Sequence, residues 1–315
     1  MSKRQKIIID TDPGQDDAVA ILLALASPDE LDILGIVAVA GNVGLRQNAK
    51  NALKIVELSG LSEVKIYAGC DRPIRRTPVT AEHVHGKTGL DGPDLNEPKI
   101  SLEKLHGVDF IVQTLLAATE KEITICALGP LTNIAMALIR EPQISKKIKE
   151  IVLMGGGHFE GGNITPAAEF NFYVDPEAAD IIMRSNIAIT MVPLDVTHQA
   201  LATIARLEAI KNLGNKTGAA IFEMLTFSER FDLKKYQWNG APLHDPCVIA
   251  YLLEPEIFEG RLINVEIEVA SELTRGMSVA DYWGVTDKTP NVNYLRQINA
   301  DRYFSILTER LVKLA

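Results

Sequence analysis

One stretch near the N-terminus limits the folds open to this chain: Ile7-Ile8-Ile9-Asp10-Thr11-Asp12-Pro13-Gly14-Gln15-Asp16-Asp17. The three β-branched residues predict a short buried strand, and Pro13-Gly14 predicts a turn that ends it. From Asp16 onward the sequence is apolar on nearly every side of a helix, which predicts that the helix is buried. The chain therefore begins with a strand, a turn and a helix, with four carboxylates at the turn.

These four carboxylates predict a cation site. Asp10 and Asp12 should share one side of the strand end, because side chains alternate along a strand. Asp16 and Asp17 fall at the helix N-terminus, where free N–H groups favour anions. The helix dipole offsets only part of their repulsion, and Ca²⁺ or Mg²⁺ suits an all-oxygen site. The alternative is that they are solvated caps and turn formers, which is usual for a single Asp beside Gly or Pro.

Strands and helices alternate through the first two-thirds of the chain, which predicts an α/β fold with an open, mostly parallel, Rossmann-like sheet flanked by helices. After the first strand and helix, we predict strands at 34–39, 64–67, 123–128, 151–154 and 187–192, and helices at 45–59, 108–119 and from 131 onward. Residues 70–107 predict a long functional loop. The last third predicts an added antiparallel hairpin, 263–269 with 277–283, and a C-terminal helix at 300–314. We expect a single domain over residues 1–315.

Ligands of such sheets bind beyond the carboxyl ends of the strands. The predicted strands end in groups that can bind a ligand: Asp10 and Asp12, Asn42, the carbonyl of Leu128, and Met154 before three glycines. The agreement among separate strands predicts one site at this edge.

Two later segments carry further polar groups. Asp245, followed by Pro246 and an apolar run, has the form of a helix N-cap, and as a plain cap it needs no function. The neighbouring His244 favours a functional interpretation, because histidine titrates near neutral pH and can donate a proton. The segment 161–171 offers Asn163, Glu169 and Asn171, which suit sugar hydroxyls but are also typical of a polar loop.

The charge balance and the cysteines exclude several classes of protein. The formal net charge of −9 argues against nucleic-acid binding, which needs a basic face. There is no apolar run of about eighteen residues that could span a membrane. The apolar run Ile7–Ile9 behind the basic N-terminus is too short for a signal-peptide core, which predicts a cytoplasmic protein. Cys70, Cys126 and Cys247 predict free thiols, with no disulfide framework.

Together these motifs resemble the inosine–uridine preferring nucleoside hydrolases. The resemblance covers essentially the whole chain in one order and rests on Asp10-Thr11-Asp12-Pro13-Gly14-X-Asp16-Asp17-Ala18, Gly41-Asn42, His83-Val84-His85-Gly86, Gly129-Pro130-Leu131-Thr132-Asn133, Met154-Gly155-Gly156-Gly157, Glu169-Phe170-Asn171, Asp175-Pro176-Glu177-Ala178-Ala179 and His244-Asp245-Pro246.

The resemblance implies a role for each site residue. Ca²⁺ would be held by Asp12, Asp17, Asp245 and the backbone carbonyl of Leu128. Asp12 would also activate the water, and His244 would protonate the leaving base. The substrate would be bound by Asp16, Asn42, His85, Met154, Asn163, Glu169 and Asn171, with Tyr236 on a mobile loop in the aromatic-rich region 222–238. The resemblance also implies a homo-oligomer, a tetramer or a dimer, that acts in nucleoside salvage.

The predicted function is therefore Ca²⁺-dependent hydrolysis of the N-glycosidic bond of ribonucleosides such as uridine and inosine. Its transition state would resemble an oxocarbenium ion, which nearby anions stabilise. Two alternatives are a Mg²⁺-dependent phosphatase resembling the haloacid dehalogenases and a non-catalytic nucleoside-binding protein. The first normally has Gly-Thr after its second Asp, where this chain has Pro13-Gly14. The second would need no proton donor such as His244.

Overall fold

The structure is a computed structural model that describes residues 4–315, apart from the side chains of Asp232 and Tyr236. Its strands are β1 (Gln5–Thr11), β2 (Leu31–Ala38), β3 (Ile66–Ala68), β4 (Ile123–Ala127), β5 (Ile148–Met154), β6 (Ile189–Val192), β7 (Leu201–Thr203), β8 (Gly240–Pro242), β9 (Phe258–Ile263), β10 (Val265–Ile267), β11 (Ser278–Ala280) and β12 (Val292–Ile298). Its helices are α1 (Gln15–Leu25), α2 (Leu45–Ser59), α3 (Glu82–His85), α4 (Gly107–Ala117), α5 (Thr132–Arg140), α6 (Phe170–Val174), α7 (Pro176–Met183), α8 (Leu194–Thr197), α9 (Ile204–Lys211), α10 (Lys216–Tyr236), α11 (Pro246–Leu253) and α12 (Ala300–Leu311). Short 3₁₀ helices cover Pro142–Lys147 and Pro255–Ile257.

The central sheet has eight strands in the order β3-β2-β1-β4-β5-β6-β12-β9. Neighbouring strands run parallel except at one edge, where β9 runs antiparallel to β12. Two antiparallel pairs, β7 with β8 and β10 with β11, lie outside this sheet. The predicted open, mostly parallel sheet with an added antiparallel hairpin is confirmed.

Alternation along β1 divides the interior into two apolar layers. Ile7 and Ile9 belong to the layer that contains α1 and α11, whereas Ile8 belongs to the layer that contains α4, α5 and α7. Helix α1 packs against α2, α10, α11 and α12, and all of its residues except Asp16 are buried. Because other helices contact α1 on most of its sides, its sequence is apolar on nearly every side. These contacts also fix the turn at residues 12–14 at the carboxyl edge of the sheet.

The other predicted elements match the structure to different degrees. Helix α2 has the predicted bounds, and residues 70–107 are irregular apart from α3 and the first residue of α4. The predicted hairpin is present as β10 and β11, and the C-terminal helix ends at Leu311. The prediction did not include the pair of β7 and β8, and it failed in two further places. It missed β9 and β12 in the central sheet, and residues 222–236, predicted as part of a loop, form the C-terminal part of α10.

The cysteines are free, as predicted, and Cys126 and Cys247 are buried in the apolar layers. Among the described helices, none combines the length and the apolar character that crossing a bilayer requires.

Candidate active site

A cavity lies at the carboxyl edge of the central sheet. Asp12 follows β1, Asn42 lies beyond β2, Leu128 follows β4, and Met154 is the last residue of β5. Their convergence confirms that the strand ends meet at one site. The later parts of the chain close the cavity with His83, Val84, His85, Asn163, Ile164, Glu169, Phe170, Asn171, His198, Leu225, Ser228, Glu229, Phe231, Lys235, Leu243, His244 and Asp245.

Three carboxylates form the acidic centre of this cavity. Asp16, Asp17 and Asp245 each place an oxygen within 4.8 Å of the others. Asp17 and Asp245 are buried. Burial raises the pKa of Asp17 to about 6, and burial followed by the charges of Asp16 and Asp17 raises the pKa of Asp245 well above its usual value. No salt bridge among the described residues involves these three side chains, so their oxygens suit a hard cation such as Ca²⁺ or Mg²⁺.

Asp245 begins α11, but its side chain does not cap that helix. The residue has helical backbone angles, with φ −65° and ψ −36°, whereas an N-cap normally has extended angles. The carboxylate instead lies against Asp17. The plain N-cap interpretation of Asp245 is therefore wrong.

The turn after β1 holds Asp17 rigidly. Its Oδ1 accepts hydrogen bonds from Thr11 Oγ1 (2.5 Å) and Asp12 N (3.2 Å), and its Oδ2 accepts one from Gly14 N (3.0 Å). Asn42 Nδ2 adds a contact of 3.3 Å to the same Oδ2. These donors partly offset the burial and hold the carboxylate in place towards Asp245.

Asp12 occupies a tight place in the same cavity. Its Oδ2 accepts a hydrogen bond from Asn42 N (2.7 Å), and a side chain at either Gly41 or Gly129 would collide with its carboxylate. Burial, and then the charge of Asp17, raises its pKa well above the usual value. A buried carboxylate with a raised pKa is suited to accept a proton.

Asp10 does not line the cavity, so the prediction that all four aspartates contribute to one cation site was wrong for Asp10. Its Oδ2 accepts a hydrogen bond from Asn133 Nδ2 (2.8 Å) on α5, and it does not line the cavity. Burial raises its pKa to about 8. Because Asn133 Oδ1 also accepts a hydrogen bond from Cys70 N (2.7 Å), this pair joins β1 to the start of the long loop.

Glu169 and Asn171 line the cavity, but the segment is not extended as the two-residue spacing assumed. Glu169 is the N-cap of α6, and its carboxylate accepts hydrogen bonds from Asn171 N (2.9 Å) and Gly156 N (3.0 Å). Asn171 Nδ2 donates to the carbonyls of Leu128 (2.8 Å) and Met154 (3.2 Å). These two side chains therefore tie α6 to the ends of β4 and β5. Burial raises the pKa of Glu169 to about 7.

Two partly buried histidines also line the cavity. His244 Nδ1 lies 2.7 Å from Thr197 Oγ1, and His85 Nδ1 lies 2.6 Å from Gln15 Oε1. Burial lowers the pKa of His244 to about 4, against an opposing effect of the Asp16 carboxylate, and burial also lowers the pKa of His85.

The C-terminal part of α10 contributes to the lining of the cavity. Phe231 packs edge-on against His83, with ring centroids 5.5 Å apart. Lys235 Nζ donates to the main-chain carbonyl of Asn163 (2.7 Å), which links α10 to the segment between β5 and α6. The side chain of Tyr236 lies outside the described residues, so its predicted contact with substrate stays a prediction.

The sequence interpretation missed several residues at this site. Position 15 is variable in the N-terminal motif, and no motif of the sequence includes Thr197, His198, Ser228 or Glu229. Thr197 and His198 lie just beyond the end of β6, and the strand-end argument that identified Asp12 and Asn42 could have found them. Ser228 and Glu229 carry no comparable signal, because they lie within a long helix.

Comparison with known proteins agrees with this geometry. The family model of the inosine-uridine preferring nucleoside hydrolases matches residues 7–305. An uncharacterised protein of Schizosaccharomyces pombe is 47% identical over 98% of this chain and 99% of its own length. The pyrimidine-specific ribonucleoside hydrolase RihA of Photobacterium profundum is 45% identical over 97% of this chain and 98% of its own. The solved purine-preferring ribonucleoside hydrolase of Gardnerella vaginalis superposes with a TM-score of 0.91 at 32% identity, covering 98% of each chain.

The fold and the site thus define an enzyme that hydrolyses N-glycosyl bonds of ribonucleosides. The chain belongs to the inosine-uridine preferring nucleoside hydrolase family. This membership decides against both the phosphatase and the non-catalytic binding protein.

Proposed function

We propose that this enzyme cleaves ribonucleosides to ribose and free base in a Ca²⁺-dependent reaction, with a preference for pyrimidine bases. The observation that carries the proposal is the group of Asp16, Asp17 and Asp245, two of them buried, in the cavity at the strand ends. Carboxylates this close favour a bound counter-charge, and no salt bridge among the described residues involves any of the three.

The residues that would hold the ion are Asp12, Asp17, Asp245 and the carbonyl of Leu128. They fit the ion by their chemistry, because all four offer hard oxygen atoms and Ca²⁺ takes six to eight of these. When bound, Ca²⁺ would acidify a water and orient the ribose 2′- and 3′-hydroxyls. Asp16 belongs to the same group of oxygens, and we assign its carboxylate to the hydroxyls of the sugar.

Asp12 would act as the base that takes a proton from the attacking water. Its burial and its raised pKa suit that role. The sugar develops positive charge as the glycosidic bond breaks, and the carboxylates of Asp12 and Asp16 would stabilise that charge. Asn42, Met154, Asn163, Glu169 and Asn171 would fix the position of the ribose, directly or by holding the strand ends together.

His244 would donate the proton that the departing base needs. The Asp16 carboxylate favours the protonated ring, whereas burial opposes it. Thr197 would hold the ring through its contact with Nδ1, which leaves Nε2 as the ring nitrogen for the base.

The pyrimidine preference is supported by the relatives. Proteins 45% and 41% identical over 97% of this chain are named pyrimidine-specific ribonucleoside hydrolases. A purine-preferring enzyme shares the fold at the lower identity of 32%. We therefore expect uridine and cytidine to be better substrates than inosine.

A panel of nucleosides with detection of released ribose tests the proposal. Uridine and cytidine should yield ribose faster than inosine, and chelation should stop all three reactions. If inosine gave the highest kcat/KM, the pyrimidine preference would be wrong. If no nucleoside released ribose, the activity itself would be wrong.

A further inference from the structure

Gln15, the first residue of α1, makes a set of contacts that the reaction described above does not use. Its side chain is buried, with 1% of its surface exposed. Its Nε2 donates to the main-chain carbonyls of His85 (2.9 Å) and Asp91 (3.2 Å), and its Oε1 lies 2.6 Å from His85 Nδ1. One amide therefore holds both the backbone and the ring of His85.

These contacts define which nitrogen of His85 carries a proton. Both hydrogens of the Gln15 amide are used by carbonyl oxygens, so its oxygen must face the imidazole. An amide oxygen only accepts hydrogen bonds, and therefore Nδ1 of His85 must be the donor. A flipped amide would place Oε1 against two carbonyl oxygens, which would leave three acceptors in contact with no hydrogen between them.

We propose that Gln15 is a positioning residue that holds neutral His85 in its Nδ1–H form, so that Nε2 presents a hydrogen-bond acceptor to the nucleoside. His85 lines the cavity, and Nε2 is the ring nitrogen that Gln15 leaves for it. The partner would be a hydrogen-bond donor of the nucleoside. This inference rests on the proposed function for the identity of the ligand but not for the state of the ring.

Two donors of a pyrimidine nucleoside can fill this role. In the proposed function the 2′- and 3′-hydroxyls face the carboxylates, which leaves the 5′-hydroxyl and the base N–H. An N–H group can only donate, so a wrongly protonated His85 would lose that contact completely. A hydroxyl can also accept, and the same error would weaken its contact less.

The state of the ring is tested without any substrate. Long-range ¹H–¹⁵N spectra of protein labelled with [¹⁵N]histidine distinguish protonated from unprotonated ring nitrogens, and His85→Ala assigns the signal. We expect Nδ1 of His85 to be protonated in the wild type and to lose that preference in Gln15→Met, which keeps the shape without the oxygen. Gln5→Met is the matched control, because Gln5 Nε2 also donates to a carbonyl, that of Leu252, at the opposite end of β1. An Nε2–H ring in the wild type, or an unchanged ring in Gln15→Met, would overturn the proposal.

Kinetics test whether the ring matters to the substrate. Gln15→Met should raise KM for uridine by roughly fivefold to tenfold, about the value of one hydrogen bond, with a smaller change in kcat. In a His85→Ala background the same substitution should have little further effect, because Gln15 acts through that ring. Additive losses in the double variant would mean that Gln15 supports only the backbone, and would contradict the proposal.

Two analogues identify the donor. With 5′-deoxyuridine the difference between wild type and Gln15→Met should disappear if the 5′-hydroxyl is the partner. With 3-methyluridine it should disappear if the base N–H is the partner. Either result supports the proposal, whereas an undiminished difference with both analogues contradicts it. Because the spectra need no turnover, an inactive enzyme with the expected ring would contradict the proposed function alone.

Discussion

Removing one negative charge from the acidic cavity should stabilise the metal-free enzyme and destabilise the metal-loaded one. Asp245→Asn is the best such change, because the Asp245 side chain caps no helix and lies against Asp17. The asparagine can donate a hydrogen bond to the carboxylate of Asp17, so it replaces a repulsive contact with an attractive one.

The size of the effect follows from the geometry. Two unit charges within 4.8 Å of each other repel by at least about 3.5 kcal/mol at an effective dielectric constant of about 20. Partial protonation of Asp245 relieves some of this repulsion, because its pKa is raised. We expect a net gain of roughly 1–3 kcal/mol in metal-free protein, or about 2–5 °C in Tm.

Calcium should reverse the order of the two proteins. A ligand at a hundred times its Kd stabilises the folded state by about 2.7 kcal/mol, and only the wild type keeps the full set of carboxylates. Thermal unfolding is measured in chelator and in excess Ca²⁺, with Asp29→Asn as a control for an exposed aspartate at the other end of α1. If Asp245→Asn melted below the wild type in chelator, and Ca²⁺ raised both Tm values equally, the reasoning would be refuted.

Three further predictions concern the proton donor, the sugar and the loop beside the cavity. His244→Ala should lower kcat on uridine by roughly a hundredfold or more. The same variant should keep most of the wild-type rate on p-nitrophenyl riboside, because that leaving group is a stable anion. Equal losses on the two substrates would mean that the proton donor lies elsewhere. Ribonucleosides should be cleaved far faster than 2′-deoxyribonucleosides, because a site that binds a hydroxyl rejects its absence strongly, and comparable rates on uridine and deoxyuridine would contradict this. Buried Asp195 accepts hydrogen bonds from His158 N (3.0 Å), Glu160 N (2.7 Å) and the Tyr294 hydroxyl. Asp195→Ala should therefore lower the free energy of unfolding by roughly 2–4 kcal/mol in denaturant titrations. A loss below about 0.5 kcal/mol would mean that these contacts contribute little to stability.

The strand, turn and helix at the N-terminus were predictable because their signals are local. The buried strand, the Pro13-Gly14 turn and the apolar helix follow one another within about twenty residues, and each has a distinct pattern. The same holds for the strand ends at Asn42, Leu128 and Met154. Parallel strands bring their carboxyl ends to one edge, so their order in the chain was enough to group them.

The failures involve contacts between distant parts of the chain. Strand β12 pairs with β6 about a hundred residues earlier, and nothing in the local pattern shows that pairing. Asp10 leaves the site because of Asn133, which is 123 residues away, and Gln15 reaches His85 across 70 residues. Alternation along the strand does not identify Asn133 as the partner of Asp10. The polar and aromatic residues in the C-terminal part of α10 resemble those of a substrate-binding loop, although this segment is helical.

The central claim is that a cation among these carboxylates is needed to cleave ribonucleosides. The most direct test is ribose release from uridine by enzyme dialysed against chelator, before and after Ca²⁺ is restored. We predict no measurable release from the metal-free enzyme and recovery of activity with Ca²⁺, and no recovery in an Asp12→Ala, Asp245→Ala double variant. Full activity in protein shown to contain no metal would contradict the claim.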